Sequence, residues 1–264
     1  LSQSESDLGI KLFERLNKKM IPTQEAKILF PYVQKIHNNL SNFRKVSSNL
    51  IDKPQGDLNI AATHALGIDY LPEAISKFSS LNTKATFETV TLHYDEIIKQ
   101  VLELKVDVGI VYDPMPHDDL INEPIIKGSF VVIAPRDYFP DKTSVNIEEI
   151  KIQPFIKITD KVGPRGPLGS KLEEYLLNNS ISLNPTFNTE TYQVALALVA
   201  KGMGITITDR ISAESSAHSN IKILNLTPNL EFNLEIVYSK SNPLSLINKS
   251  FINFLRDFKY KNNA

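Results

Sequence analysis

Strand-like and helix-like segments alternate along most of this chain, and this alternation is the strongest constraint on its fold. In residues 57–112, short apolar runs such as DLNIAAT (57–63) alternate with amphipathic stretches such as YLPEAISKFSSL (70–81). Residues 154–209 repeat the same order. Alternating strands and helices favour an α/β fold with parallel sheets and right-handed crossovers. The sequence therefore predicts two α/β lobes.

The order of the segments also predicts how the two lobes share the chain. Two extended segments, INEPII (121–126) and SFVVIAP (129–135), separate the two rounds of alternation. The extended run EFNLEIVYS (231–239) and an amphipathic helix over 244–260 follow the second round, so we expect the chain to return to the first lobe. The predicted lobes are lobe I, residues 57–128 and 233–264, and lobe II, residues 129–232. Small ligands bind such folds at the carboxyl ends of the strands, which predicts a site between the lobes.

A narrow apolar stripe predicts a long helix over residues 24–50, with Thr23 as its N-cap. Apolar residues recur there at spacings of four and three, as in a heptad seam. Pro31 is expected to kink or end the first turns. So narrow a stripe needs a second helix, from this chain or from another copy. We assign a dimerisation role to Leu29, Val33, Ile36, Leu40 and Phe43.

Charge is distributed unevenly along the chain. Residues 1–50 carry eight Lys or Arg and four Asp or Glu, whereas the whole chain has a net charge of −1. A basic N-terminal arm indicates an anionic partner, although a solvated helix face would have the same composition. The sequence shows neither an apolar run of transmembrane length nor an export-signal pattern, so we expect a cytoplasmic protein without a membrane partner. The absence of Cys excludes disulfides and thiolate chemistry.

The stretch LGIKLFERLNKKMIPTQEAKILFPYVQKI (8–36) resembles the end of the DNA-binding domain of LysR-type transcriptional regulators. The pairs LG and LF, followed by Arg15, match the family pattern of Leu-Gly, two variable residues and Leu-Phe-x-Arg. The basic NKK segment fits the family's wing, and Pro22 and Ala26 depart from its Leu-Thr-x-x-Gly segment. The resemblance continues in the opening strand GDLNIAAT (56–63) and in TETYQVALALVAKGMGITITD (189–209), with its helix and Gly-x-Gly turn.

The resemblance implies a complete architecture. A two-lobed, periplasmic-binding-protein-like α/β effector domain would follow the remnant of a winged helix-turn-helix and a long linker helix. Only seven residues precede Leu8, where the family has most of its helix-turn-helix, so we expect the beginning of that domain to be missing from this sequence. The predicted boundaries are 1–22 for the DNA-binding remnant, 23–51 for the linker helix, 52–56 for a hinge and 57–264 for the effector domain.

The resemblance also implies which residues contact DNA. A winged helix-turn-helix inserts one helix into the major groove and anchors neighbouring bases on phosphates. The arginine and lysines of the wing are suited to phosphate binding, and the short polar side chains of the first helix are suited to base edges. The alternative for the two lysines is a solvated hairpin tip. The predicted DNA-binding residues are Ser2, Gln3, Arg15, Lys18, Lys19 and Thr23.

The predicted effector-binding residues share a position at or just after the carboxyl end of a predicted strand. Thr63, Lys161 and Arg165 together indicate a carboxylate or another oxyanion as the ligand. The alternatives to effector binding are that His64 is solvated or capped and that Thr189 and Thr191 cap a helix. The complete set is Thr63, His64, Ala65, Tyr112, Asp113, Thr159, Asp160, Lys161, Arg165, Thr189 and Thr191.

Enzymatic functions find little support in the sequence. The five His are scattered without a His-Glu-x-x-His spacing, and Gly-x-Ser-x-Gly is absent. We therefore predict no enzymatic activity, no metal and no cofactor besides the effector. The predicted function is ligand-responsive regulation of transcription by a homodimer or homotetramer that binds double-stranded promoter DNA, with RNA polymerase as a further partner. The alternative is a stand-alone small-molecule-binding protein that resembles solute-binding proteins.

Overall fold

The chain forms two compact units, Leu1–Asp52 and Lys53–Ala264. A computed structural model describes residues 2–16, 19–49, 56–159, 166–183, 185–215, 220–241 and 244–260. Most of the predicted hinge, residues 52–55, lies outside the described residues. In the described part of the chain, no helix combines the length and the apolar character that crossing a membrane requires.

The first unit contains a short helix, a two-stranded antiparallel hairpin and a long helix. These elements are α1 (Ser2–Leu8), β1 (Phe13–Leu16), β2 (Lys19–Pro22) and α2 (Gln24–Asn49). The carboxylate of Glu5 accepts hydrogen bonds from the backbone N–H groups of Leu12 and Phe13 at 2.7 and 3.1 Å. These bonds favour the charged carboxylate and lower the pKa of Glu5. They tie α1 to the start of the hairpin.

The start of α2 follows the sequence prediction. The backbone N–H of Ala26 donates to Thr23 Oγ1 at 3.2 Å, which confirms Thr23 as the N-cap. The same hydroxyl donates to the carbonyl groups of Lys11 and Leu12, so it also fixes the end of the hairpin against the helix. Pro31 lies inside α2 and does not end it, because the helix continues to Asn49.

The second unit contains the alternating strands and helices. In chain order its elements are β3 (Gly56–Thr63), α3 (Tyr70–Leu81), β4 (Ala85–Leu92), α4 (Tyr94–Leu102), β5 (Val108–Tyr112), β6 (Leu120–Pro135), β7 (Ser144–Asn146), α5 (Ile147–Ile150), β8 (Phe155–Ile158), α6 (Pro167–Asn178), β9 (Pro185–Thr189), α7 (Tyr192–Ala200), β10 (Thr206–Asp209), α8 (Arg210–Glu214), β11 (Ile221–Thr227), β12 (Glu231–Ser239) and α9 (Leu246–Asp257). This is an α/β fold.

A mixed eight-stranded sheet runs through this unit, in the order β4, β3, β5, β12, β6, β11 and β7, with β10 also paired to β6. The strands β4, β3 and β5 are parallel, but β12 is antiparallel to both β5 and β6. The strands β10 and β11 are antiparallel to β6 as well. The strands of the first round of alternation are therefore parallel as predicted, and β8 and β9 of the second round also pair in parallel, in a separate two-stranded sheet. The antiparallel pairs of this unit all involve β6 or β12, for which the sequence predicted only extended segments. The alternation of strands and helices gives their order, whereas strand direction depends on where each connection returns to the sheet.

The long strand β6 joins the two lobes, although the sequence predicted two separate extended segments there. Its first half pairs with β12, and its second half pairs with β10 and β11. A Cβ atom on Gly128, between these halves, would lie only 2.4 Å from the ring of Phe232, so glycine lets the ring lie against the strand. We use lobe I for β3, β4, β5, β12, α3, α4, α9 and the first half of β6. Lobe II comprises the second half of β6 and the elements β7 to β11 with α5 to α8.

Both faces of the sheet are buried. In β3, Leu58 and Ile60 belong to one apolar cluster with α3 and α9, while Ala61 belongs to a second cluster with α4. In lobe II, Val131 and Ile133 of β6 pack in a cluster with α7. Alternate side chains of a strand point to opposite faces, so strands covered on both faces carry apolar residues at consecutive positions, such as Ile60 and Ala61 of β3. The rigid sheet fixes the positions of the loops at the strand ends.

Candidate functional site

A cavity of about 540 Å³ lies between lobe I and lobe II at the carboxyl ends of β3, β4, β5, β8 and β10. Lobe I contributes Thr63 to Ala65 and Leu92 to Tyr94, which directly follow or end two parallel strands. Lobe II contributes the end of β8, one face of α6, the start of α7 and the junction of β10 with α8. Parallel strands end at one edge of a sheet, so their terminal residues meet there.

Six of the predicted effector-binding residues line this cavity. They are Thr63, His64, Ala65, Tyr112, Thr159 and Thr191. The hydroxyl oxygen of Thr63 is buried and has no hydrogen-bond partner among the described residues. The end of β3 thus retains an unused hydrogen-bonding group beside the cavity.

Two further predicted residues lie outside the lining of the cavity. Asp113 forms an ion pair with Lys171 of α6, at 2.6 Å, and accepts a hydrogen bond from the backbone N–H of Asn233 at 2.8 Å. Thr189 is buried, and its hydroxyl accepts a long hydrogen bond from the backbone N–H of Thr191. Both therefore hold elements of the cavity wall in place. The predicted residues Asp160, Lys161 and Arg165 lie outside the described residues.

The cavity also contains polar residues that the sequence analysis missed. His93 and Tyr94 follow β4 as His64 follows β3, so the rule of strand ends would have identified them. The rings of His64 and His93 lie 5.0 Å apart between their centroids. The described residues contain no group of three or more His, Cys, Asp or Glu that is arranged to hold a metal ion.

The floor of the cavity contains a buried hydrogen bond between the lobes. The hydroxyl of Tyr112, in lobe I, donates to Asp209 Oδ1, in lobe II, at 3.0 Å. The backbone N–H of Ser212 donates to the same oxygen at 2.7 Å, which makes Asp209 the N-cap of α8. Burial raises the pKa of Asp209 although these donors oppose the shift, and burial with the nearby Asp209 raises the pKa of Tyr112.

The part of the cavity beside α6 is mainly apolar. The cavity faces of Leu168, Leu172 and Leu176 lie on successive turns of this helix. The other aliphatic and phenylalanine residues of lobe II that line the cavity are Phe130, Phe155, Ile158, Leu177, Ile181, Leu183 and Ile207. An ion pair at 3.1 Å, between Lys157 of β8 and Glu173 of α6, also borders the cavity. The cavity therefore combines polar groups at the strand ends of both lobes with an apolar region beside α6 in lobe II.

Of the predicted DNA-binding residues that the structure describes, two lie in the hairpin, two in α1 and one at the start of α2. Arg15 and Lys19 are exposed on β1 and β2, and all residues of these two strands are exposed. Ser2 and Gln3 belong to α1, and Lys18 lies outside the described residues. The sixth predicted residue is the N-cap of α2, whose hydroxyl already makes three hydrogen bonds within the unit.

The predicted dimerisation stripe is exposed along α2. The side chains of Val33, Ile36, Leu40 and Phe43 are exposed, and that of Leu29 is half-buried. Exposed apolar side chains on one helix face indicate a surface that packs against a partner.

This chain is similar in sequence to a known protein family. The LysR substrate binding domain matches residues 52–259 of this chain. The HTH-type transcriptional regulator DgcR of a Pseudoalteromonas species is 33% identical over 256 residues, which cover 97% of this chain and 87% of that protein.

Two solved structures share the fold at low sequence identity. Full-length CbnR in complex with its target DNA has a TM-score of 0.73 at 16% identity, and the match covers 97% of this chain and 87% of CbnR. The effector binding domain of QuiR in complex with shikimate has a TM-score of 0.66 at 20% identity. That match covers 77% of this chain and 96% of the QuiR domain.

Proposed function

Because this chain belongs to the LysR family of transcriptional regulators, we propose that a small effector in the cavity between lobe I and lobe II controls its binding to promoter DNA. The cavity carries this proposal, since its volume of about 540 Å³ and its position at strand ends are typical of small-molecule sites. An effector that binds one arrangement of the lobes more tightly shifts the protein toward that arrangement. In an oligomer, the shift changes the spacing of the DNA-binding units.

The six predicted residues that line the cavity, with His93 and Tyr94, are the proposed effector contacts. The hydroxyl of Thr63, which has no hydrogen-bond partner among the described residues, and the exposed His64 supply hydrogen-bonding groups for a polar ligand. An oxyanion ligand stays a prediction, because Lys161 and Arg165 lie outside the described residues. QuiR, whose domain shares this fold, was solved with shikimate, and we extend from it only the location of the ligand.

We propose that the β1–β2 hairpin is the DNA-binding wing, with Arg15 and Lys19 on phosphates. CbnR, which shares the fold, was solved with its target DNA. The stripe on α2 would pair two copies so that each copy contacts one half-site. RNA polymerase is the proposed further partner, and the cytoplasm, where promoter DNA lies, is the proposed location.

Fluorescence anisotropy with a labelled fragment of the protein's own promoter tests this function. Affinity should fall as salt rises, and Lys19→Gln or Arg15→Gln should weaken binding and reduce the slope of log K against log salt by about one. Lys84→Gln is the matched control, because Lys84 is an exposed lysine in the other unit. If the wild-type protein does not bind the promoter even at low salt, the DNA-binding function is refuted.

The same assay separates the regulator from a stand-alone small-molecule-binding protein. A binding protein without a DNA function would respond to ligands in a thermal-shift screen but would leave the promoter fragment free at every salt concentration. We propose no enzymatic activity, since the relative DgcR is named a transcriptional regulator. Turnover of a bound ligand would contradict that part of the proposal.

A further inference from the structure

The helix α6 differs from the other long helices of its unit in how little of it is buried. It spans twelve residues with four leucines, yet Pro167 is its single buried residue. The twelve-residue helices α3 and α9 bury four and five residues, respectively, and the nine-residue α7 buries four. An amphipathic helix normally buries its apolar face against the core. The leucines of α6 are therefore incompletely covered by the protein.

The incompletely covered face of α6 borders the cavity. Leu168, Leu172 and Leu176 recur every fourth residue, so they form one row along the helix, and all three line the cavity. The buried side chains of Phe155 and Ile207 also line the cavity. Water beside these apolar side chains has few hydrogen-bonding partners, whereas an apolar ligand group gains van der Waals contacts with them.

The part of the lining that lobe I contributes is mainly polar. Five of the seven lining residues from lobe I are polar, and His64 and His93 are exposed. Lobe II adds polar lining residues of its own, among them Thr159, Thr191 and Thr208. A ligand that contacts both these polar groups and the leucine row must therefore be apolar at one end and polar at the other. The cavity volume of about 540 Å³ suits a small molecule rather than a folded segment.

We propose that the effector is a small amphiphile whose apolar chain or ring packs against the leucine row of α6 and whose polar head faces the polar strand ends. This inference rests on the proposed function, because it takes the cavity as the effector site. Binding would cover the leucine row of α6. The burial of the ligand's apolar end would then contribute favourable free energy. The apolar end would then supply most of the affinity, and the head would supply orientation.

Titration calorimetry with two homologous series tests the inference. The probes are butanoate, hexanoate and octanoate, and the corresponding primary alcohols. In at least one series, affinity should rise by up to about fourfold for each added methylene until the chain fills the apolar region. Equal affinities along both series, or no binding in either, would overturn the inference.

Substitutions of Leu172 connect this trend to α6. Leu172→Asn should weaken octanoate or octanol binding at least tenfold and leave the four-carbon probe within about twofold. Leu81→Asn is the control, since Leu81 is 74% exposed on α3 and does not line the cavity. Leu172→Phe keeps the wall apolar but fills part of the space, so it should shift the tightest binding to a shorter chain even if the Asn variant does not fold. An unchanged preference for chain length in Leu172→Phe contradicts the proposed location.

The promoter assay keeps this inference distinct from the regulatory function. If the probes bind with the expected trend but never alter promoter binding at saturation, the proposed coupling to DNA fails and the ligand class stands. If a wholly polar molecule binds the cavity and alters promoter binding while neither series binds, the ligand class fails and the regulatory function stands.

Discussion

Replacing Tyr112 by phenylalanine removes one hydroxyl from the floor of the cavity and leaves the ring in place. The ring is 4% exposed and packs edge-on against Phe232, with 5.2 Å between the ring centroids. The lost interaction is the 3.0 Å hydrogen bond to Asp209, a carboxyl that is 2% exposed. Tyr112→Phe therefore tests how strongly this bond holds the two lobes together.

The ionisation of Asp209 sets the expected magnitude. A hydrogen bond to a charged group contributes about 1.5–3 kcal/mol, and one between neutral groups contributes about 0.5–1.5 kcal/mol. Burial raises the folded-state pKa of Asp209 above its unfolded value, so the folded protein takes up this proton first as the pH falls. The hydroxyl of Tyr112 opposes that shift, and its removal should raise the pKa of Asp209 further. The cost of Tyr112→Phe should thus be largest at pH values above the folded-state pKa and decrease as the pH falls through it.

Urea unfolding of the wild type and Tyr112→Phe, at neutral pH and at an acidic pH, measures both effects. The variant should lose about 1.5–3 kcal/mol at the higher pH and less at the lower pH. In an Asp209→Asn background, where the uncharged amide oxygen still accepts the bond, the cost should fall to about 1 kcal/mol. Tyr175→Phe is the control, because its hydroxyl donates to the neutral carbonyl of Pro228. Equal costs of Tyr112→Phe at both pH values and in both backgrounds would refute a charged partner.

Three further predictions concern stability and assembly. Gly128→Ala should destabilise the protein by about 1–3 kcal/mol in urea unfolding, because its Cβ meets a buried ring. Gly169→Ala, with open space around its Cβ, should be neutral or stabilising. Equal effects of the two substitutions would contradict this packing. Lys171→Gln should lower the free energy of unfolding by about 0.5–1 kcal/mol at low salt and by less at high salt, because the ion pair of Lys171 with Asp113 is partly exposed. A loss that does not change with salt would exclude an electrostatic origin. Ile36→Asp should shift the protein toward the monomer in analytical ultracentrifugation, because Ile36 lies on the predicted dimerisation stripe. Ile28→Asp, which lies off the stripe, should not. The same shift in both variants would contradict dimerisation through this stripe.

Local sequence patterns predicted the fold well wherever a segment carries its own periodicity. The bounds of α3 and β12 agree with the predicted segments, and Thr23 caps α2 as expected. The patterns could not give the direction of β12 or the continuity of β6, since both depend on contacts between distant segments. The two predicted segments lie on either side of Gly128, whereas β6 continues through it. The ring that requires a glycine there belongs to Phe232, which is far along the chain.

The candidate site was predictable to the extent that it follows strand ends. Thr63, His64 and Tyr112 were identified by this rule, and His93 follows it too. The rule cannot tell which terminal residues face the cavity, and Asp113 instead pairs with a lysine of α6. The cavity face of α6 was also missed, because an apolar stripe on a helix looks the same in the sequence whether it covers a core or a ligand.

The strand β6 also determines how this protein can be divided. A cut on either side of Gly128 would leave half of a central strand on each fragment, with unpaired backbone N–H and C=O groups along β12 or β10 and β11. Open strand edges of this kind pair with other chains and promote aggregation. Neither lobe is therefore suited to production as an isolated fragment, and biosensors built from this protein should keep β6 whole and insert reporters in surface turns instead.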